Sequence, residues 1–145
     1  MKKTAILFAS IFLSLSVGTP ALAQSQREMD EQADAGYQQA DKKLNDTYQA
    51  LLKQRKNDPL FIEKLKRAQK AWIAYRDAMV DLQYPVGAKA NPQEVFGSIY
   101  PTCVSGAEEN LTQTQTAMLS QWLPEHAAEG DACAGSKNKI YGVDR

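Results

Sequence analysis

QKAWIAYRDAMV, residues Gln69 to Val80, sets two large aromatics, Trp72 and Tyr75, on a strongly helical background and follows them with a charge pair, Arg76 and Asp77. Outward from it the apolar series runs Phe61, Leu65, Ala68, Trp72, Tyr75, Met79, Leu82. Steps of four and three alternate, which is the seven-residue spacing of a coiled-coil-like seam. Asp58-Pro59 supplies an N-cap and a first-turn proline for this helix, and Tyr84-Pro85 stops it.

Upstream, Ser25 to Lys56 reads as one long amphipathic helix. Met29, Ala33, Tyr37, Ala40, Leu44, Tyr48 and Leu51 recur near the helical period. Early acids (Asp30, Glu31, Asp34) and late bases (Lys53, Arg55, Lys56) suit the helix dipole. Gly36 is the one weak point, at about 1 kcal/mol against alanine. The tight Asn57-Asp58-Pro59 joint predicts an antiparallel hairpin. Its hydrophobic seam is expected from Tyr37, Leu44 and Tyr48 on one side and Trp72, Tyr75 and Met79 on the other.

Downstream, Val86 to Ser98 is a loop containing a capped single turn at Asn91-Pro92-Gln93-Glu94. A third helix is expected from Tyr100 or Thr102 to Leu123, with Cys103, Ala107, Leu111, Met118 and Trp122 on its apolar face. Thr112, Thr114 and Thr116 weaken its pattern. The tail from Glu125 has no periodicity and is expected to be irregular, held to the body chiefly by Cys133. The predicted class is all-α: a long antiparallel helical hairpin, a third helix and an irregular C-terminal tail from about residue 124.

The N-terminus predicts export. Lys2 and Lys3 precede a charge-free apolar run, Ala5 to Val17, and Ala21-Leu22-Ala23 forms an A-x-A cleavage site. The run is too short for a confident membrane span, which needs roughly 20 residues. Residues 1–23 are therefore expected to be a cleaved signal peptide. Residues 24–145 then form one domain, periplasmic or secreted, with no membrane association after cleavage. The whole chain carries 17 basic and 17 acidic residues, and this balance argues against a nucleic-acid binder. The two cysteines are Cys103 and Cys133. An even count in an oxidising compartment favours one disulfide, worth roughly 3–4 kcal/mol on the chain-entropy model. The alternative is a buried thiol at Cys103 and a free one in the tail.

Catalytic equipment is thin. His126 has no cysteine or carboxylate set at ligand spacing, and no serine or threonine has a plausible base. The carboxylate pairs Glu108–Glu109 and Asp41–Asp77 lack a visible cleft for acid–base work. No catalytic residue, metal or cofactor is expected. Arg76 lies beside the seam, and Asp41 and Asn45 sit one turn apart on the first helix. One reading is a structural polar contact: Arg76 pairs with Asp41 and Asn45 completes it. The other is contact with a partner. Asp77 is grouped with the structural polar contact, without a defined part in it.

These residues resemble the N-terminal domain of the lysozyme inhibitor LprI family, over roughly Glu28 to Leu123. The resemblance rests on Glu28-Met29-Asp30, Tyr37, Ala40-Asp41, Leu44-Asn45, Tyr48, Gln69, Trp72, Tyr75 to Ala78, Gly97-Ser98, Leu111-Thr112, Thr116 and Leu119. Four positions depart from it: Gln32, Val80 and Ala107 stand where the family has cysteines. Gln115 stands where it has an arginine. The Val80 and Ala107 changes look like two ends of one lost bridge, replaced by an apolar contact, with Cys103 reaching the tail instead.

The resemblance implies an exported, helical, non-enzymatic protein, some of whose relatives bind and inhibit lysozyme. Its partner would then be a protein such as a lysozyme, met by the loop Pro85 to Phe96 through Pro85, Lys89, Asn91 and Phe96. The plainer reading of that loop is an ordinary helix connection. A helical interaction module for another envelope protein, chaperone-like or immunity-like, is the alternative function. Oligomeric state is not legible.

Overall fold

Asp58 accepts the Phe61 N–H at 3.0 Å, and Pro59 takes the first turn behind it, so one long helix ends and the next begins within a few residues. The computed structural model describes residues 20–126 and 131–138. Its helices are α1 (Pro20–Gln54), α2 (Pro59–Gln83), α3 (Pro92–Phe96) and α4 (Tyr100–Ser120), followed by 3-10 turns at Pro124–His126 and Gly135–Asn138. The expected signal peptide falls mainly on residues 1–19, outside the described residues. No described helix is long and apolar enough to cross a membrane.

α1 and α2 run antiparallel. Arg76 meets Tyr37 near one end of the pair, and Arg55 lies over the Phe61 ring at the other. α4 runs parallel to α1: Thr102 donates to Asp30, and further along Glu109 lies against Gly36. The all-α class, the long antiparallel pair, the further helix and the irregular tail are those expected. The core gathers Leu44, Leu51, Leu65, Trp72 and Leu119, with Tyr48, Leu52, Phe61, Trp122 and Leu123 packed against it.

The most intimate packing is nevertheless α1 on α4, not α1 on α2. Interaxial distance follows the size of the side chains at the contact. Gly36, Ala40 and Thr47 on α1 share a cleft with Thr116, Ala117 and Ser120 on α4, whereas Trp72, Tyr37 and Tyr48 stand between α1 and α2. Gly36 lies at this contact: a Cβ there would come within 2.7 Å of the Glu109 carboxylate, whose flexible end would have to turn aside.

α4 buries Thr112, Gln115, Thr116 and Leu119. The expected face is only partly covered at Cys103, Ala107 and Leu111, and Met118 is exposed. Two of the three threonines that weakened the helix pattern, Thr112 and Thr116, are buried at the close contact, whereas Thr114 is exposed. Thr116 returns its hydroxyl to the Thr112 carbonyl at 2.9 Å, and Gln115 donates to Gln69 on α2 at 3.3 Å. On α2, Leu65 and Trp72 are buried, but Tyr75 is 55% exposed and Leu82 71%. The buried stripe is narrower than the heptad series.

The cysteines require a correction. Cys103 and Cys133 are free thiols, the first half-buried and the second exposed. Cys103 sits beside Tyr84, whose hydroxyl pKa is raised by burial and then by that thiol. The tail docks at the opposite end of the bundle. Ser136 accepts from Trp122 Nε1 at 3.0 Å and, through its carbonyl, from Arg55 at 2.8 Å. Lys137 reaches Gln121 at 2.7 Å and lies 5.0 Å from the Trp122 ring centroid. Cys103 is near the start of α4 and the docking point just past its end. At 1.5 Å per residue that separation is roughly 25–30 Å, far beyond the reach of a disulfide. Ala134, Ser136 and Lys137 therefore hold the tail, and Cys133 does not.

Candidate functional site

The signature stretch on α2 forms a polar knot where the three long helices meet. Arg76 donates from Nε and Nη2 to one carboxylate oxygen of Asp77, at 3.0 and 2.7 Å, and from Nη1 to the Tyr37 hydroxyl at 3.0 Å. Its guanidinium lies 5.4 Å from the Trp72 ring centroid and 5.9 Å from that of Tyr37, within cation–π range. Burial works against the Arg76 charge. The Asp77 hydrogen bond, with Tyr37 and Glu108 nearby, outweighs it and holds the pKa above the ordinary arginine value. Asp77, grouped with this polar contact from the sequence but given no defined part in it, is the actual partner of Arg76. Asp41 is exposed, and no ion pair joins it to Arg76. It acts on the knot through space, with burial and Glu108 ahead of it in raising the Tyr37 pKa against the pull of Arg76.

Glu108 on α4 completes the knot. Burial pushes its pKa above the ordinary carboxylate range; Arg76 opposes this, and Asp77 and Asp34 reinforce it. A raised carboxyl pKa means that the folded state holds the proton more tightly than the unfolded chain. Its contribution therefore favours folding in acid and is lost as pH rises through the folded value. Glu108→Gln should stabilise the protein at neutral pH, by less than about 1 kcal/mol after solvent screening, and so raise its melting temperature. The gain should vanish in acid. Melting curves across acid to neutral pH would reveal this, and a Glu108→Gln protein less stable at neutral pH would refute it.

Beside the knot, α1 and α2 enclose a groove of about 420 Å3. Leu44 and Trp72 form its floor, Tyr48 and Ile73 its walls, and Asp41, Asn45, Lys66, Gln69, Lys70 and Arg76 its polar rim. Asp41, Asn45 and Arg76 thus share one groove without bonding to one another. Leu44 and Trp72 are buried, Tyr37, Tyr48 and Met79 half-buried, and Tyr75 lies outside the seam.

The loop after α2 is mounted on an aromatic cluster. Tyr84 packs edge-on against Phe96 and Tyr100, at centroid distances of 5.5 and 5.6 Å, and Phe96 stacks on Tyr100 at 5.9 Å. Phe96 is therefore an anchor, half-buried, rather than a presented side chain. Asn91 caps α3 by accepting the Gln93 N–H at 3.1 Å. Pro85 and Lys89 are exposed, and Lys89 sits in a turn closed by Ala90 N–H to Gly87 carbonyl at 2.9 Å.

Charge is segregated along the bundle. The half containing this loop gathers the start of α1, the end of α2 and the start of α4, and with them Asp30, Asp34, Asp77, Asp81, Glu108 and Glu109. The other half carries Lys43, Lys53, Arg55, Lys64, Arg67 and Lys70. Only the folded pairing of helices brings these charges together, so the sequence reading did not see it. It also missed Arg55, taken for a dipole-compensating surface base: it is fully buried beneath the tail. Its position beside Leu51 at the end of the apolar series was the available signal. Glu125 and His126 are exposed at one end of the α1/α4 cleft, about 740 Å3 in volume, with Lys43 and Glu109 on its walls. Among the described residues no group of three or more His, Cys, Asp or Glu could hold a metal ion.

Residues 18–119 match the profile of the family described as Lysozyme inhibitor LprI. An uncharacterized protein of Rhizobium meliloti (strain 1021) is 34% identical over 112 residues, covering 70% of this chain and 76% of that protein. No solved structure matches.

Proposed function

Because the chain belongs to the lysozyme inhibitor LprI family, we propose that it is an exported, non-enzymatic binding protein that inhibits lysozyme-type muramidases. The observation that supports this most is the setting of Lys89. It is the one basic residue between Pro85 and Phe96, is exposed, and projects from a braced loop at the acidic end of the bundle. Such muramidases are basic proteins with an acidic cleft. The acidic end would steer the enzyme in, and Lys89 would meet the cleft carboxylates. The loop supplies shape and one cation, which suffices to block a cleft and performs no chemistry of its own.

The test is lysis of a cell-wall suspension by c-, g- and i-type lysozymes with and without the purified protein. Inhibition of at least one type is expected, and it should weaken with salt as the charges are screened. Lys89→Glu should weaken it at least about tenfold, or about 1.4 kcal/mol, with unchanged melting. Absence of binding to all three types at micromolar concentration would overturn the reading. The exposed Tyr75 and Leu82 favour the second reading, a helical interaction module for another envelope protein. Retention of a specific envelope protein by the wild type, and not by Tyr75→Glu, would support it.

A further inference from the structure

The outer face of α2 is unpartnered. Ala71, Ala74 and Ala78 are exposed along it, flanked by Tyr75 and Leu82, which with Ala68 are the members of the heptad series that the bundle leaves exposed. A helix face this apolar, extending for several turns, is the usual mark of a contact surface. The charges beside it indicate the occupant. The first half of α2 is basic, with Arg67 exposed; the second half is acidic, with Asp81 exposed. Neither residue has an ion-pair partner among the described residues.

We propose that this face docks against the same face of a second copy of the chain, the two α2 helices crossing antiparallel about a two-fold axis at Ala74. Arg67 and Asp81 stand two turns to either side of Ala74, on the same flank of the stripe. An antiparallel two-fold therefore sets Arg67 of each copy opposite Asp81 of the other, and the match occurs twice by symmetry. Ala74 at the crossing point lets the helices approach closely, and Tyr75 packs over Ala71 of the second copy. A parallel pairing would oppose like charges along the whole helix. The wider charge segregation agrees, since antiparallel copies place the acidic half of one bundle beside the basic half of the other. The loops carrying Lys89 then point to opposite ends, so pairing does not compete with the proposed inhibitory contact.

With the two-fold at Ala74 the two helices overlap from Leu65 to Gln83, about 27 Å at 1.5 Å per residue, and a face about 10 Å wide buries roughly 550 Å2 over both copies. Stable interfaces begin near 1,200 Å2, so the association is reversible and weak. Sedimentation equilibrium of the purified protein, from low micromolar to millimolar concentration, should show a monomer–dimer transition. Asp81→Arg and Arg67→Asp should each weaken it about tenfold or more. The double exchange, which restores opposite charges across the interface, should recover it to within about threefold of the wild type. Both substitutions are on exposed positions, and unchanged circular dichroism of the three variants would confirm folding. A protein that stays monomeric throughout, or a double exchange as weak as the single variants, overturns the proposal.

Discussion

Arg55→Ala is expected to destabilise the protein by about 3 kcal/mol, close to 10 °C in melting temperature for a domain of this size. Arg55 is 0% exposed. Its Nη2 donates to the Ser136 carbonyl at 2.8 Å, and its guanidinium covers the Phe61 ring at 4.8 Å. Truncation leaves the half-buried Ser136 carbonyl without this donor, at about 1–3 kcal/mol. It also removes a long stem packed among Leu51, Phe61 and the tail, which leaves a cavity. Because the tail loses one of its two contacts through Ser136, limited proteolysis should cut near residues 131–138 first, and the Trp122 fluorescence should shift as its ring meets water. Arg55→Lys should lie between wild type and alanine, since an ammonium cannot reproduce the flat guanidinium over Phe61. A loss below about 1 kcal/mol with an intact tail would mean that the strap is held elsewhere.

The second large effect is expected at Arg76. Arg76→Ala should cost about 2 kcal/mol, made up of the Tyr37 hydrogen bond, the cation–π contact with Trp72 and a partly exposed pair with Asp77. Tyr37→Phe should account for about 1 kcal/mol of it. Asp77→Asn should cost less, because Asp77 is more than half exposed and its pair is screened. Asp41→Ala should change stability by under about 0.5 kcal/mol, as for most surface substitutions. Urea unfolding of the four variants separates these effects. Equal losses at Asp41 and Arg76 would restore the partnership that spacing alone suggests.

The Arg76 case shows how sequence and structure divide. Spacing brings the Asp41 and Arg76 edges of the hairpin together, and they do share a groove. Which acceptor Arg76 takes is a matter of a few ångströms of side-chain reach. The adjacent Asp77 and the Tyr37 hydroxyl both fall within hydrogen-bond distance. The Cys103–Cys133 expectation failed for a larger reason. Compartment and parity say nothing about distance, and the tail has specific partners of its own in Arg55 and Trp122. Lys89 was legible because it is the single cation in a loop bounded by prolines; the role of Phe96 was not, because Tyr84 and Tyr100 flank it only after the chain turns.

By itself the sequence determined the elements. Asp58-Pro59 and Asn91-Pro92 fix helix starts through local capping and the proline ring, Pro85 and Pro124 stop helices, and the recurrence of Leu44, Leu51, Leu65 and Trp72 selects buried faces. These are short-range effects, decided within a turn or two of the residue concerned. Only the tertiary structure decided that α4 rather than α2 lies closest to α1, that Thr112 and Gln115 go inside while Tyr75 and Leu82 stay out, and that Arg55 is sealed under the tail. Each of those outcomes depends on how closely two backbones can approach. That distance is set by small residues on both helices at once, so no single stretch of sequence contains it.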